Sequence, residues 1–402
     1  MPYYIGDVIR ESKRLVIRTP EEFGKTGIAV QIRTGVDGIN TQTGMVYLTD
    51  GRRIPYDTLV VATGSNPVHL DIPGWDLDGV FTLKNLNDAI RIKSWIQDRK
   101  CRQAVILGAG YISLEMCDAL TSAGLQTKIV YRGTLPARKW DPEFSKMILD
   151  EITAHGVEFI PGTKCVAIEK GKQDSLRLVT DSGVIETDLI LMALGVTPEV
   201  GLANSIGLSI GEETGAVKVD PTQRTSRENV WAVGDCCEVF DRVAQRWVYL
   251  PLGDIANKQG RVAGQNIGGS HAEFPGVVGA QSFKVFDLEV ARVGLTEEEA
   301  SRSGYTPVSV LIWGVPVARP MVDGQKLGIK LVGDRRTRKL LGGELIGKKG
   351  AVQRIYALSV ALWSGLTVDE IGFLDFPYAP PFGGAWDAIH IAAQNLARKL
   401  DA

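Results

Sequence analysis

The stretch Gln103–Leu120, QAVILGAGYISLEMCDAL, decides how the chain is read. Ala104–Leu107 is a short apolar run, which reads as a strand buried on both faces. Gly108, Gly110 and Ser113 then occupy the three places of a G-x-G-x-x-G turn, and a helical pattern follows. A glycine at the first place permits the tight turn. One at the second lets backbone approach a pyrophosphate, which the free N–H groups of the following helix stabilise. The third place holds serine, so strand and helix are expected to pack slightly less closely. A glycine pattern alone is weak evidence. Here strand, turn and helix occur in order, which favours a dinucleotide site over an ordinary turn that binds nothing.

The next strand, TKIVYR (Thr127–Arg132), ends where NAD-binding units carry an acid for the ribose 2′-hydroxyl. This chain has Tyr131 and Arg132 there, with Arg138 nearby. A cation at that place suits a 2′-phosphate, so NADPH is expected over NADH. Two further apolar runs end at small-residue turns. DTLVVATGSNP leads from Leu59–Ala62 into Thr63 and Gly64, and ENVWAVGDCCEV leads from Val230–Val233 into Gly234 and Asp235. Open α/β sheets bind ligands at such strand ends, and an acid there needs a hydrogen-bonding partner. PLGDIANKQGRVAGQNIGG has helical spacing and ends at Gly268-Gly269.

The composition agrees. The chain has 402 residues, enough for two or three domains, with 44% hydrophobic and 23% charged residues. Its 45 glycines favour an α/β protein with many tight turns. A net charge of −2 gives no reason to expect nucleic acid as a partner. No apolar run is long enough to span a bilayer. The five cysteines have neither zinc spacing nor disulfide density, so no metal is expected and a reducing cytoplasm fits. Cys236-Cys237 reads as packing, as do Cys101, Cys117 and Cys165. The four histidines, His69, His155, His271 and His390, read as structural.

ATGSNP, GAGYISLE, VWAVGD and PLGDIANKQGRVAGQNI, in this order, resemble the pyridine nucleotide–disulfide oxidoreductases. SFKVFDLEVARVGLTEEEA and PYAPPFGGAWDA resemble their coenzyme A-disulfide reductase and NADH oxidase branch. The resemblance covers essentially the whole chain. It implies an α/β fold with two doubly wound dinucleotide-binding domains and an α+β dimerisation domain. The FAD domain would be residues 1–82 and 199–276, the NAD(P)H domain 83–198 and the dimerisation domain 277–402. Gly64, Gly234 and Asp235 would face FAD, with Asp235 on the ribityl chain, and Thr63 and Gly195 are further cofactor-binding candidates. Leu252 and Gly253, at a helix start, would aim N–H dipoles at the flavin ring. Glu115 would lie where nicotinamide meets flavin. Tyr378 would reach from the dimerisation domain into the partner's active site. The implied reaction is hydride transfer from NADPH or NADH to flavin, then to a small sulfur-containing substrate in a homodimer. Oxygen as acceptor and a non-catalytic remnant are the alternatives.

Two departures stand out. In this branch Pro-Tyr-Tyr-Ile follows the redox cysteine, in the pattern Cys-Gly-x-Pro-Tyr-Tyr. Here Met1 takes the place of x before Pro2, Tyr3 and Tyr4, and the two aromatic residues are expected to find little to pack against at a terminus. The resemblance therefore implies an incomplete FAD domain, without its first βαβ unit or that cysteine. The chain as written is expected to purify without flavin, whether from a misplaced start, a frameshift or a gene remnant; a natural variant is the rival reading. The second departure is RPMVDGQKLGIKL, where Pro320 and Met321 replace tyrosines of the coenzyme A-disulfide reductases, leaving a persulfide, a polysulfide or another small disulfide as plausible as coenzyme A disulfide.

Overall fold

The computed structural model describes residues 1–321 and 325–402. The Gln103–Leu107 strand lies in the middle of a five-stranded parallel sheet. The strand order is Val80–Phe81, Leu189–Met192, Gln103–Leu107, Gln126–Val130, Glu158–Ile160. Its side chains alternate between two cores, as a strand's period of two requires. Ala104 and Ile106 join one core with Leu114, Met116 and Leu120 of the helix Tyr111–Ser122 and Phe144, Ile148 and Ile152 of the helix Pro142–Ala154. Val105 and Leu107 face the other way, onto Ile168, Leu176 and Leu178. Those belong to an antiparallel meander, Cys165–Lys170, Leu176–Thr180 and Gly183–Thr187. Burial on both faces explains why the strand reads as a continuous apolar run.

The chain enters and leaves this lobe along two short antiparallel strands, Ser65–Pro67 and Val196–Pro198. Outside them, Leu59–Val61 pairs in parallel with Val230–Ala232, and no other strand joins that sheet among the described residues. Val61, Val217, Val230 and Ala232 form its core with Cys236 and Cys237. The helix Gly253–Ile267 packs on the turn Gly234–Cys236.

Tyr4 is not left without packing. Tyr4 and Ile5, in the helix Pro2–Ile5, are buried in the same core as Ile106 and Leu114. Lys93, itself buried, donates to Tyr4 O and to Asp7 Oδ1, both at 2.7 Å. Its ammonium also lies 4.2 Å from the centre of the Tyr4 ring, an added cation–π attraction.

The C-terminal region forms a five-stranded antiparallel sheet, ordered Gln281–Val285, Leu288–Gly294, Leu340–Gly347, Leu327–Asp334, Pro307–Gly314. The helices Ala351–Ser364 and Ala388–Asp401 bury Ile355, Leu358, Ala392 and Leu396 with sheet residues Ile329, Leu331 and Leu345. A buried ion pair ties the two helices together. Arg354 Nε meets both carboxylate oxygens of Asp387 at 3.0 Å, and its Nη2 reaches Oδ2 at 2.6 Å. The same guanidinium donates to Gly350 O and Pro316 O. Removing one partner of such a pair leaves the other charge uncompensated. Asp387→Ala should therefore lower unfolding stability by about 3–5 kcal/mol, read from urea denaturation. A loss below about 1 kcal/mol would show that the pair adds little beyond a surface bridge.

Candidate functional site

The Gly108 turn is built as a backbone cradle. Gly108 has φ +109°, and a Cβ there would meet Ala193 O at 2.5 Å, so only glycine fits. Gly110 is the N-cap of Tyr111–Ser122, with no side-chain cap and open space around it. The helix's first N–H groups are thus left for a ligand. Ser113 is fully buried and its hydroxyl donates to Ala193 O at 3.4 Å. The hydroxyl finds a partner across the turn, which is how serine serves at the third place.

Tyr131, Arg132, Gly133, Thr134, Leu135 and Arg138, where the next strand ends, border a cavity of about 440 Å³. Arg132 and Arg138 are exposed, and neither has an acidic partner among the described residues. A Cβ on Gly133 would meet the Tyr131 ring at 2.5 Å, so the small residue makes room for that ring.

A second centre forms where the two crossing strands meet the Gly234 turn. Glu199 N donates to Gly64 O, and Thr63 Oγ1 donates to Glu199 O at 2.6 Å. Val68 N donates to Gly195 O. Gly234 N donates to Oε1 of the buried Gln259 at 2.8 Å. Asp235 Oδ2 accepts from Lys84 Nζ at 2.6 Å and from Ser65 Oγ at 3.2 Å. Its Oδ1 has no hydrogen-bond partner among the described residues. Beside it, the Tyr249 hydroxyl is buried and makes no hydrogen bond of good geometry, although Ser65 is close. Burial pushes Tyr249 up to about 12; Asp235 and Cys236 push the same way, and Ser65 partly offsets them. Leu252 caps the Gly253–Ile267 helix without a side-chain hydrogen bond, so that helix also begins with free N–H groups.

Sequence reasoning found Thr63, Gly64, Gly195, Gly234 and Asp235, and the structure brings them to one region. It missed Lys84, Ser65, Tyr249 and Gln259. Cys236 and Cys237 are buried thiols with sulfurs 3.7 Å apart. The thiol of Cys237 helps lower Cys236, and burial drives Cys237 up.

Glu115 lies on Tyr111–Ser122 and, with Pro2, Tyr3, Asp118 and Lys284, borders a second cavity of about 400 Å³. Burial raises its pKa, with Asp118 adding to the effect and the Met1 amine opposing it. Burial raises the Tyr111 pKa, and the negative charges of Glu115 and Asp235 push it the same way. Tyr378 stands apart: it is exposed, and its hydroxyl makes no hydrogen bond among the described residues. Exposed Phe373, Phe382 and Trp386 are on the same C-terminal lobe. Met321 is exposed too, and the stretch just after it, 322–324, falls outside the described residues.

Orphaned Tyr249, the open oxygen of Asp235 and the uncapped helix start are the donors and acceptors that a polyhydroxylated chain and an electron-rich ring need. The residues present therefore fit the ribityl and ring portion of FAD.

Comparison with known proteins matches residues 5–260 to the pyridine nucleotide-disulphide oxidoreductase family and residues 280–389 to the dimerisation domain of that family. The chain is 34% identical over 398 residues to the NAD(P)H sulfur oxidoreductase (CoA-dependent) of Pyrococcus furiosus, covering 98% of this chain and 89% of that protein. It is 30% identical to an NADH oxidase of Methanocaldococcus jannaschii, covering 100% of this chain and 90% of the other. The solved structure of an NAD-dependent persulfide reductase from A. fulgidus superimposes with a TM-score of 0.95 at 32% identity, over 100% of this chain and 76% of that one. No helix among the described residues is long and apolar enough to cross a membrane. Two nucleotide-type turns on one chain, joined to an antiparallel C-terminal lobe, thus belong to the pyridine nucleotide-disulphide oxidoreductase family.

Proposed function

We propose that this protein is a cytoplasmic, homodimeric, FAD-dependent oxidoreductase that takes hydride from NAD(P)H, with NADPH preferred, and reduces a small disulfide, persulfide or polysulfide. The observation that carries the reading is the pairing of two cofactor-type sites on one chain: the uncapped Gly108–Ser113 turn and the polar group around Asp235. A bound flavin would supply the acceptor for the nicotinamide's hydride and the route by which the electron pair reaches sulfur. The relatives' names support a sulfur acceptor. For domain limits of 1–82 with 199–276, 83–198 and 277–402, the pairing of Val80–Phe81 with Leu189–Met192 favours starting the nucleotide lobe just after the crossing strand Ser65–Pro67 instead of at 83.

The chain's own groups divide the work. The Gly108 turn binds the nucleotide pyrophosphate, and Arg132, aided by Arg138, binds the 2′-phosphate. Asp235 Oδ1 and the Tyr249 hydroxyl hold the ribityl chain. The Gly253 helix start stabilises negative charge on the reduced ring. Glu115 lies where the two cofactors meet. Tyr378, carried across a dimer interface built on the exposed aromatic face, donates a hydrogen bond from its O–H to the substrate sulfur or departing thiolate. The direct test adds FAD to the purified chain and follows NADPH consumption with a small disulfide, with polysulfide and with oxygen alone. Turnover with sulfur compounds above that with oxygen is expected. Turnover with oxygen only would establish the oxidase reading, and binding of neither cofactor would establish a non-catalytic protein.

Three substitutions probe individual roles. Arg132→Glu should weaken NADPH binding by about 1.5–3 kcal/mol, the worth of a hydrogen bond to a charged group, and leave NADH binding nearly unchanged. Titration of both nucleotides decides this, and equal affinities in the parent protein would remove the preference. Tyr249→Phe deletes an unpaired buried hydroxyl, so the thermal midpoint without cofactor should hold or rise. FAD affinity should fall about tenfold in the same variant, and an unchanged affinity would place the hydroxyl outside the flavin site. Tyr378→Phe should slow turnover with sulfur substrate while the dimer persists in sedimentation. Dissociation, or normal turnover, would assign the tyrosine to packing.

A further inference from the structure

Lys84 is the group around Asp235 that neither the motifs nor the function stated above explains. It sits between the edge strand Val80–Phe81 of the parallel sheet and the helix Leu86–Asp98. Its backbone is fixed there, because Lys84 N and Asn85 N both donate to Asp88 Oδ2 at 2.9 Å. From that anchor the side chain crosses to the Gly234 turn, 151 residues further along the chain, and meets Asp235 Oδ2 at 2.6 Å. The Asp235 side chain is only 16% exposed and that of Lys84 31%. A pair this sheltered is screened far less than a surface bridge.

We propose that Lys84 is a positioning residue for the flavin site: by holding Asp235 Oδ2, together with Ser65, it turns Oδ1 toward a ribityl hydroxyl. The proposal deepens the flavin reading above and rests on it. Three observations carry it. First, the carboxylate is asymmetric, with two donors on Oδ2 and none on Oδ1 among the described residues. A hydroxyl of a ligand needs such a free acceptor. Second, the neighbouring backbone is held independently, since Gly234 N is bonded to buried Gln259. What remains loose in the turn is the rotation of the Asp235 side chain, and Lys84 removes it. Third, both side chains of the pair are sheltered, so solvent and salt screen their attraction little and the carboxylate is held in one orientation. Because Lys84 is anchored on the nucleotide lobe, the same contact ties the flavin site to the lobe that binds NADPH.

The test is a double-substitution cycle on FAD affinity, read by fluorescence as FAD is added to the cofactor-free chain. Lys84→Met should weaken binding about tenfold to a hundredfold, the worth of one hydrogen bond to a charged group. Lys84→Arg, which restores the cation, should bind within about threefold of the parent. If Lys84 acts through Asp235, adding Lys84→Met to Asp235→Asn should cost less than about twofold beyond Asp235→Asn alone. NADPH titration accompanies each variant and should be unchanged, since the Gly108 cradle has no part in the contact. Unaltered FAD affinity in Lys84→Met, or losses that simply add in the double variant, would overturn the positioning role. Loss of NADPH binding in Lys84→Met would also overturn it, by making Lys84 a folding residue. A parent chain that binds NADPH but no added FAD would end the flavin reading itself, and this proposal with it.

Discussion

Everything at the candidate site depends on the two short strands Ser65–Pro67 and Val196–Pro198, which run antiparallel where the chain passes between its lobes. Their backbone pairing fixes the outgoing and returning segments at one place. Thr63 and Gly64 are consequently bonded to Glu199, and Val68 to Gly195. The parallel pair Leu59–Val61 and Val230–Ala232 then delivers Gly234 and Asp235 to the same region. Lys84 follows the first crossing by less than one strand and helix, which is why it can reach Asp235 at all. A slip of one residue in either pairing would turn Ser65 from Asp235 toward the opposite face and separate the polar groups.

What the sequence disclosed follows from how local each signal is. The Gly108 turn was legible because its three small residues, its strand and its helix are contiguous. Its steric basis, Ala193 O lying 2.5 Å from where a Cβ would be, could not be seen from 85 residues away in the chain. Asp235 was legible as an acid at a strand end that needed a partner. Which partner it had was not, because nothing in TLKNLNDA marks Lys84 as reaching across a lobe boundary. Tyr249 carried no motif, and only its missing hydrogen bond marks it. The opening aromatics misled in the same way. Tyr4 lacks neighbours in sequence, but Lys93, 89 residues on, supplies a hydrogen bond and a cation.

The three lobes use charge differently, and the differences follow burial. On the nucleotide lobe Arg132 and Arg138 stay exposed and unpaired, so their charge remains available to a dianion arriving from solvent. At the Gly234 turn Asp235 is paired, but only on one oxygen, which leaves it fixed and still able to accept. On the C-terminal lobe Arg354 is spent entirely inside the protein, on Asp387, Gly350 and Pro316. Availability for a ligand thus declines from exposed, to half-satisfied, to fully satisfied.

That ordering bears on Tyr378. Its hydroxyl is exposed and makes no hydrogen bond among the described residues. The segment that follows is nevertheless held by a polar network. Arg354 grips Asp387, Asp387 caps the last helix through Ile389 N, and His390 takes Asp387 N on Nδ1 while Nε2 meets Leu374 O. These bonds pin Leu374 and Asp387, the two ends of the loop that carries Tyr378, Phe382 and Trp386. A loop fixed at both ends with an apolar, exposed crest is shaped to insert into another surface. Rigid ends reduce the entropy lost when the crest is ordered by that surface. Phe382 and Trp386 thus give an exposed apolar crest to a loop whose two ends are held by hydrogen bonds.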